Sequence, residues 1–319
     1  MTGGHEMRTA MVLAAGRGRR LAPLSEVLPK PALPLLGRRL VGWAMAQAAA
    51  AGAESVVVNA WHLAERLEEA VAEEAHRVPR VALSREPQLM GGAGGLALAR
   101  DRGLLDGAGP LLVLNGDVVF RLDLEPVLAR HRESDDLVTL ALLPHLDPTA
   151  WSRVLLDASG RVERICEPGA PATGEVPLLY TGVMVMSREA LATLPSAPGE
   201  IGDLLWAPAK AVGRFGGVVV SGYWREVGTP EAYRAETVRQ LGDQSWCHPE
   251  ATVAPAATLD RCMVGRSARI EPGAQVAESV VVEGAVVGTG ARVIGSILMG
   301  RVEAGPGEHL TGVVRAAAG

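Results

Sequence analysis

The sequence predicts an α/β domain built on a mostly parallel, doubly wound sheet, followed by a short parallel β-helix. Three observations carry this expectation. Short β-branched or Leu-rich runs alternate with amphipathic stretches up to about residue 242, a glycine- and arginine-rich segment follows the first of those runs, and after Gly242 helical periodicity gives way to a seventeen-residue repeat.

Strands are expected at 10–14, 55–59, 80–84, 111–114 and 137–142, separated by helices near 39–51, 62–76, 94–102 and 125–133. The run VLLDASGRVERI suggests a hairpin turning at Ser159-Gly160, followed by TGVMVMS as a strand and by REALATL and GDLLWAPAKAVGRF as helices. GVVVSGYWREVG returns as strands. The last helix, TPEAYRAETVRQL, opens with Thr229 as N-cap and Pro230 at the first helical position. This gives a first domain over 1–242, with residues 1–6 read as an extension ahead of the first strand.

The remainder, 243–319, aligns in blocks of seventeen. Val253, Ile270 and Val287 share one column, Ala257, Ala274 and Ala291 another, and Leu259, Val276, Val293 and Leu310 a third, with Pro255, Pro272 and Pro306 in register. One aliphatic and one small residue per six is what a triangular β-helix needs, because aliphatics fill the prism and small residues sit where its walls crowd. Open strand edges at the end of such a coil predict self-association, so a homo-oligomer formed through this module is expected.

Composition narrows the function. Net charge is -5, with 31 basic and 36 acidic residues and no long basic run, which argues against nucleic acid or an anionic membrane as partner. No apolar stretch reaches the length of a membrane span. Cys166, Cys247 and Cys262 form neither a disulfide framework nor a metal-ligand spacing, and a reducing cytoplasm fits them.

The strongest local signal is LAAGRGRRLAPLSEVLPKPALPLLG. Gly16 and Gly18 let backbone amides approach a ligand, while Arg17, Arg19, Arg20 and Lys30 concentrate positive charge, so the segment reads as a phosphate cradle. It is not a Walker loop, lacking Gly-Lys-Ser/Thr, and not a dinucleotide fingerprint, since Leu21 replaces the third glycine. Lys30, one of only two lysines, lies between Pro29 and Pro31.

The G-x-G-x-R-L…P-K-P pattern resembles that of the nucleotidyltransferases that make nucleotide sugars from a nucleoside triphosphate and a sugar 1-phosphate. The similarity extends over EPQLMGGAGGL, LNGD, TGVMVMS and WREVGTPEAY, and the repeat is similar to the left-handed β-helix of the mannose-1-phosphate guanylyltransferase-like members. The resemblance implies a Rossmann-like mixed sheet followed by a short left-handed parallel β-helix. It also implies Mg2+-dependent nucleotidyl transfer by direct in-line displacement, with guanylyl transfer to mannose 1-phosphate or a close hexose as the leading expectation. Uridylyl or thymidylyl transfer to N-acetylmuramate or glucose 1-phosphate, or a non-catalytic nucleotide-sugar-binding regulator, are the alternatives.

The resemblance also implies roles. Two anions must be brought together at the α-phosphorus, so cations and a metal are required. Arg20 and Lys30 would hold the triphosphate, with Leu13, Ala15, Gly16, Gly18, Gly91, Gly92 and Gly116 framing the nucleotide and Gly94 and Gly95 extending the glycine loop beside the base. Asp117 would ligate magnesium, together with Glu226 where relatives carry aspartate. Glu86, Asn115, Glu167 and Gly182 match positions that face the sugar. Many relatives carry E-K-P where this chain reads Ile165-Cys166-Glu167-Pro168; Glu167 matches either their glutamate, with the lysine deleted, or the lysine position with opposite charge, and an arginine, Arg164 or Arg153, is the candidate replacement. Trp61 and His62 read as a helix start and packing. A β-helix acyltransferase, with only His248 and His309 as bases, is disfavoured.

Overall fold

The computed structural model describes residues 7–107, 109–145, 147, 150–170 and 176–318. The extension read at 1–6 lies outside these residues. Two compact units are present: one takes the chain up to Gly16, Val41–Ala64 and Val71–Trp224, the other Arg17–Leu40, Glu65–Ala70 and the chain from Arg225 onward.

The first unit is built on a nine-stranded mixed sheet. Leu111–Asn115, Thr9–Leu13, Ser55–Ala60 and Arg80–Arg85 run parallel in that spatial order. Leu178–Met186 pairs antiparallel with Leu111–Asn115, Val138–Pro144 and Arg153–Leu156, and Phe215–Val219 lies parallel to Val138–Pro144. The parallel strands are apolar on both faces because both are covered: Ala10, Met11, Val12, Val56, Val57 and Val58 are fully buried. The chain first builds outward from Thr9–Leu13 to Arg80–Arg85, then crosses to its other side with Leu111–Asn115. The carboxyl ends of those two neighbouring strands therefore flank the point where strand order reverses, the crevice in which open α/β sheets take ligands.

The expected strands and helices are present with ends shifted by a few residues, and the hairpin forms from Arg153–Leu156 and Val162–Cys166. Three differences have physical reasons. Val118–Leu122 is a further strand that the short VVF run after LNGD did not announce. GDLLWAPAKAVGRF is a π-turn over Gly202–Trp206 running into a short helix over Ala207–Ala211, where Pro208 supplies no N–H for a regular ladder. The helix expected near 94–102 begins earlier, at Gly91, so Gly91, Gly92, Gly94 and Gly95, also read as a loop beside the base, form its first turn.

In the second unit, Pro230–Leu241 is a helix whose N-cap Thr229 accepts from the Ala232 N–H, as the sequence predicts. The repeat folds into three parallel sheets, one per face of the coil. Partners such as Met263↔Val280↔Ile297↔Val314 and Leu259↔Val276↔Val293↔Leu310 are each seventeen residues apart, so the columns of the sequence are the columns of the coil. The sheets fit the left-handed form of the β-helix. Val264, Ile270, Val276, Val281, Val287, Val293 and Leu298 fill the prism, and Ala274 and Ala291 stand where its walls meet. Buried hydroxyls tie successive coils: Ser279 Oγ accepts from Ser296 N at 3.0 Å, and Ser296 Oγ from Val313 N at 3.0 Å. No helix among the described residues is long and apolar enough to cross a membrane.

Candidate active site

In the first unit the site begins where Thr9–Leu13 ends. Leu13 is half-buried, Ala14 and Ala15 are buried, and Gly16 is exposed. The Leu13 carbonyl accepts from Gly116 N at 2.8 Å, joining the two strand ends at the switch point. A side chain at Gly116 would meet Val12 Cγ1 at 2.9 Å, which explains the glycine at this crossing. Asn115 and Asp117 flank it, both half-buried. Gly182 interrupts Leu178–Met186 at φ +83, where the register shifts, and any Cβ there would lie 2.9 Å from Asn115 Nδ2. Only glycine combines that dihedral with that approach.

Beside this lies a buried polar brace. Asn59 Oδ1 accepts from Ala14 N at 2.6 Å, and Asn59 Nδ2 donates to Glu86 Oε1 at 2.7 Å. Glu86 Oε2 accepts from Met90 N at 2.9 Å, at the start of Gly91–Asp101. Burial pushes the Glu86 carboxyl above its ordinary value, against the opposing pull of the Met90 N–H, the Asn59 amide and Arg102. Glu86, expected to face the sugar, thus has both oxygens engaged by the protein. Asn59 was not anticipated; a lone amide closing the apolar run SVVVNA was the available signal.

The glycines that follow owe their presence to close packing. A Cβ at Gly95 would stand 2.7 Å from Glu86 Oε1, at Gly94 2.7 Å from Ala197 O, and at Gly92 2.7 Å from Ile201 Cδ1. The Gly199 carbonyl accepts from Ala93 N and Gly94 N, so two of the helix's first donors are already used. Gly91 and Gly92 are half-buried.

Glu167 is exposed on a turn after Val162–Cys166. Of the two candidate arginines, Arg164 is exposed, whereas Arg153 is buried and donates from Nη2 to Ala170 O at 2.6 Å, bracing the Glu167 turn from beneath. Trp61 and His62 are half-buried ahead of the helix Ala64–Glu74.

In the second unit, Gly18 adopts φ +62 and opens a 3-10 turn over Arg19–Leu21. Its Cα faces Lys30, and a methyl group placed on it would fall 3.3 Å from Lys30 Cβ. Lys30 begins another 3-10 turn over Lys30–Ala32 and is 6% exposed, while Arg17, Arg19 and Arg20 are exposed. Arg20 Nη2 donates to Glu226 Oε1 at 2.6 Å. The residues expected to hold a phosphate and to hold a metal are therefore hydrogen-bonded to each other in the protein alone. An ion pair with its arginine 70% exposed is weak and exchangeable.

No group of three or more His, Cys, Asp or Glu side chains suited to a metal occurs among the described residues. That does not disfavour magnesium, which is commonly held by one or two carboxylates with substrate phosphates and water completing the shell. Asp117 and Glu226, expected as metal ligands, each carry carboxylate oxygens, which are hard donors.

A family model described as Nucleotidyl transferase matches residues 9–241. The chain belongs to this family. The nucleotidyl transferase is 30% identical to the mannose-1-phosphate guanylyltransferase of Mycobacterium tuberculosis, over 82% of this chain and 76% of that one. It is 25% identical to mannose-1-phosphate guanyltransferase beta-B of Xenopus laevis, over 82% and 72% of the two chains, and 28% identical to probable mannose-1-phosphate guanylyltransferase 2 of Arabidopsis thaliana, over 70% and 62%. As a nucleotidyl transferase this protein is an enzyme, and its matched segment includes the glycine- and arginine-rich segment, the switch-point strands and Glu226.

Proposed function

We propose that this enzyme transfers a nucleotidyl group from a nucleoside triphosphate to a sugar 1-phosphate, releasing pyrophosphate, and that its substrates are GTP and mannose 1-phosphate. The observation that carries the reading is the cationic segment of Gly18, Arg20 and buried Lys30 in a chain of this family, supported by the mannose-1-phosphate guanylyltransferases among its relatives. Arg20 and Lys30 would neutralise the triphosphate and the charge that grows on the departing pyrophosphate. The backbone from Leu13 through Gly18 would approach the phosphates, with Gly91, Gly92 and Gly116 leaving room for the nucleotide. Asn115, Glu167 and Gly182 are assigned to the sugar, and Glu86 to the same region through the Asn59 brace. Asp117 and Glu226 are assigned to Mg2+, which when bound supplies charge neutralisation at the phosphates. For Glu226 to act so, Arg20 must release it. Three unpaired cysteines fit a reducing cytoplasm as the place of reaction.

The test is pyrophosphate release with Mg2+, each of four nucleoside triphosphates and a panel of sugar 1-phosphates. Turnover is expected to be fastest with GTP and mannose 1-phosphate; another pair reacting faster overturns the substrate assignment. A second reading, a regulator that binds nucleotide sugar without turnover, is favoured by the Arg20–Glu226 pair and by the absence of lysine at 165–168. Tight nucleotide-sugar binding with no pyrophosphate from any combination would establish it.

A further inference from the structure

The segment that carries Lys30 is held in the second unit by the β-helix. After the Lys30–Ala32 turn the chain makes a tight hairpin from Pro34–Leu35 and Arg38–Arg39. The two residues at its tip, Leu36 and Gly37, both have positive φ, at 50° and 76°. A leucine there is strained and persists only where its surroundings fix it. What fixes it is the coil: Leu36 N donates to Met263 Sδ at 3.2 Å, and a Cβ on Gly37 would lie 3.0 Å from the Trp246 ring. From the side, Tyr233 Oη donates to Pro34 O. Leu24–Glu26 packs against Val314–Ala317, so the stretch before Lys30 rests on the same sheet.

The decisive contact is ionic. Arg39 Nη1 donates both to Ala32 O at 3.0 Å and to Glu283 Oε1 at 2.9 Å. Ala32 closes the turn that Lys30 opens, and Glu283 sits on a corner of the coil at φ 55. The two side chains are 11% and 23% exposed, so the charge of Arg39 is neutralised largely out of water and its N–H is aimed at one carbonyl.

We propose that Arg39 and Glu283 are positioning residues for Lys30: the β-helix sets the place of the triphosphate-binding lysine through the relay Glu283–Arg39–Ala32. This rests on the reading of Lys30 given under Proposed function, but its geometric half can be measured without substrate. Lys30 and Lys210 are the only lysines in the chain, one buried and one exposed, so acetylation by acetic anhydride followed by mass spectrometry reads the closure of the Lys30 turn against an internal standard. Cys262, fully buried in the coil, reports integrity of the β-helix through its reactivity with a thiol reagent.

In Glu283→Ala and Glu283→Gln, Lys30 is expected to acetylate about tenfold faster relative to Lys210, more so in the alanine variant, because Arg39 loses the carboxylate that aims its N–H at Ala32 O. Cys262 should stay protected. Turnover should lose kcat, with KM for the sugar phosphate changed less than about twofold, since the site lost is on the triphosphate side. Wild-type acetylation of Lys30 in a variant whose Cys262 stays protected overturns the proposal. Reactive Cys262 in both variants also overturns it, by showing that Glu283 holds the coil itself. If the unaltered enzyme releases no pyrophosphate, the assigned reaction fails while the labelling result stands.

Discussion

Lys30 is a long cationic side chain only 6% exposed, and removing such a charge from water is costly unless other groups compensate it. Under the proposed reaction triphosphate adds to that compensation. Lys30→Ala is expected to lower kcat by about 10²- to 10³-fold while leaving KM for the sugar phosphate close to its original value, the usual result of removing one group that stabilises transition-state charge. Asp117→Ala should bring turnover to background at any magnesium concentration. Steady-state pyrophosphate release checks both, and wild-type rates in either variant would remove that residue from the assignment. Lys30 and Gly18 stand out in the sequence because flanking prolines and spaced glycines are local signals. Arg39 and Glu283 were not, since a contact spanning 244 positions leaves no mark on either neighbourhood. Glu86 was noticed by its neighbours in the motif, but its engagement by Asn59 and Met90 depends on a strand pairing that no single segment encodes.

The helix over Glu125–Glu133 carries another buried titratable group, His131. His131 Nδ1 shares a 2.9 Å hydrogen bond with Thr139 Oγ1, and that hydroxyl in turn lies 3.3 Å from Asp136 Oδ2. Burial lowers the His131 pKa from 6.5 to about 4, with the negative charge of Asp136 opposing the shift. The folded state therefore favours neutral imidazole. Its contribution to stability is complete above pH 6.5 and is lost as pH falls towards 4, by about 3 kcal/mol at most. Urea titrations at pH 7, 5 and 4 should show a smaller acid-induced loss for His131→Gln than for the unaltered protein; equal losses would mean that His131 is not the group responsible. Element-level reading failed where one local signal has two physical causes. Gly91, Gly92, Gly94 and Gly95 read as a loop beside the base, yet they are a helical turn pressed against Ala197, Gly199, Ile201 and Glu86, where methyl groups would collide. Glycine costs a helix about 1 kcal/mol per residue relative to alanine, and overpacking costs more, so the collision decides the residue.

At the level of the whole chain, the seventeen-residue repeat was readable because each coil stacks in register on the previous one, so a spatial period is also a sequence period. What the coil's outer surface touches was written more faintly. Val280-Val281-Val282 and Ile297-Leu298-Met299 are fully or almost fully buried, and a strand with one wet face would alternate. Such runs announce that both faces are covered, one of them by the prism, and on the same sheet Leu36 N donates to Met263 Sδ while Val27 Cγ1 stands 3.4 Å from where a Cβ on Gly300 would lie. The last strand of each coil sheet pairs on one side only among the described residues. Self-association through these edges remains our expectation. Light scattering at micromolar concentration should give a mass above that of one 33.3 kDa chain, and a monomer there would exclude it.

The Arg39–Glu283 contact has a consequence for biosynthesis. A ribosome adding about 5 to 20 residues per second needs roughly 12 to 50 s to travel from one partner to the other. For most of that interval the emerging lysine turn has no coil to lean on, and the strained Leu36 bend lacks the Met263 sulfur that receives its N–H. The Lys30 turn must then await synthesis of residues 243–283 to gain these partners, and a nascent chain released at Gly242 would leave with that turn unsupported.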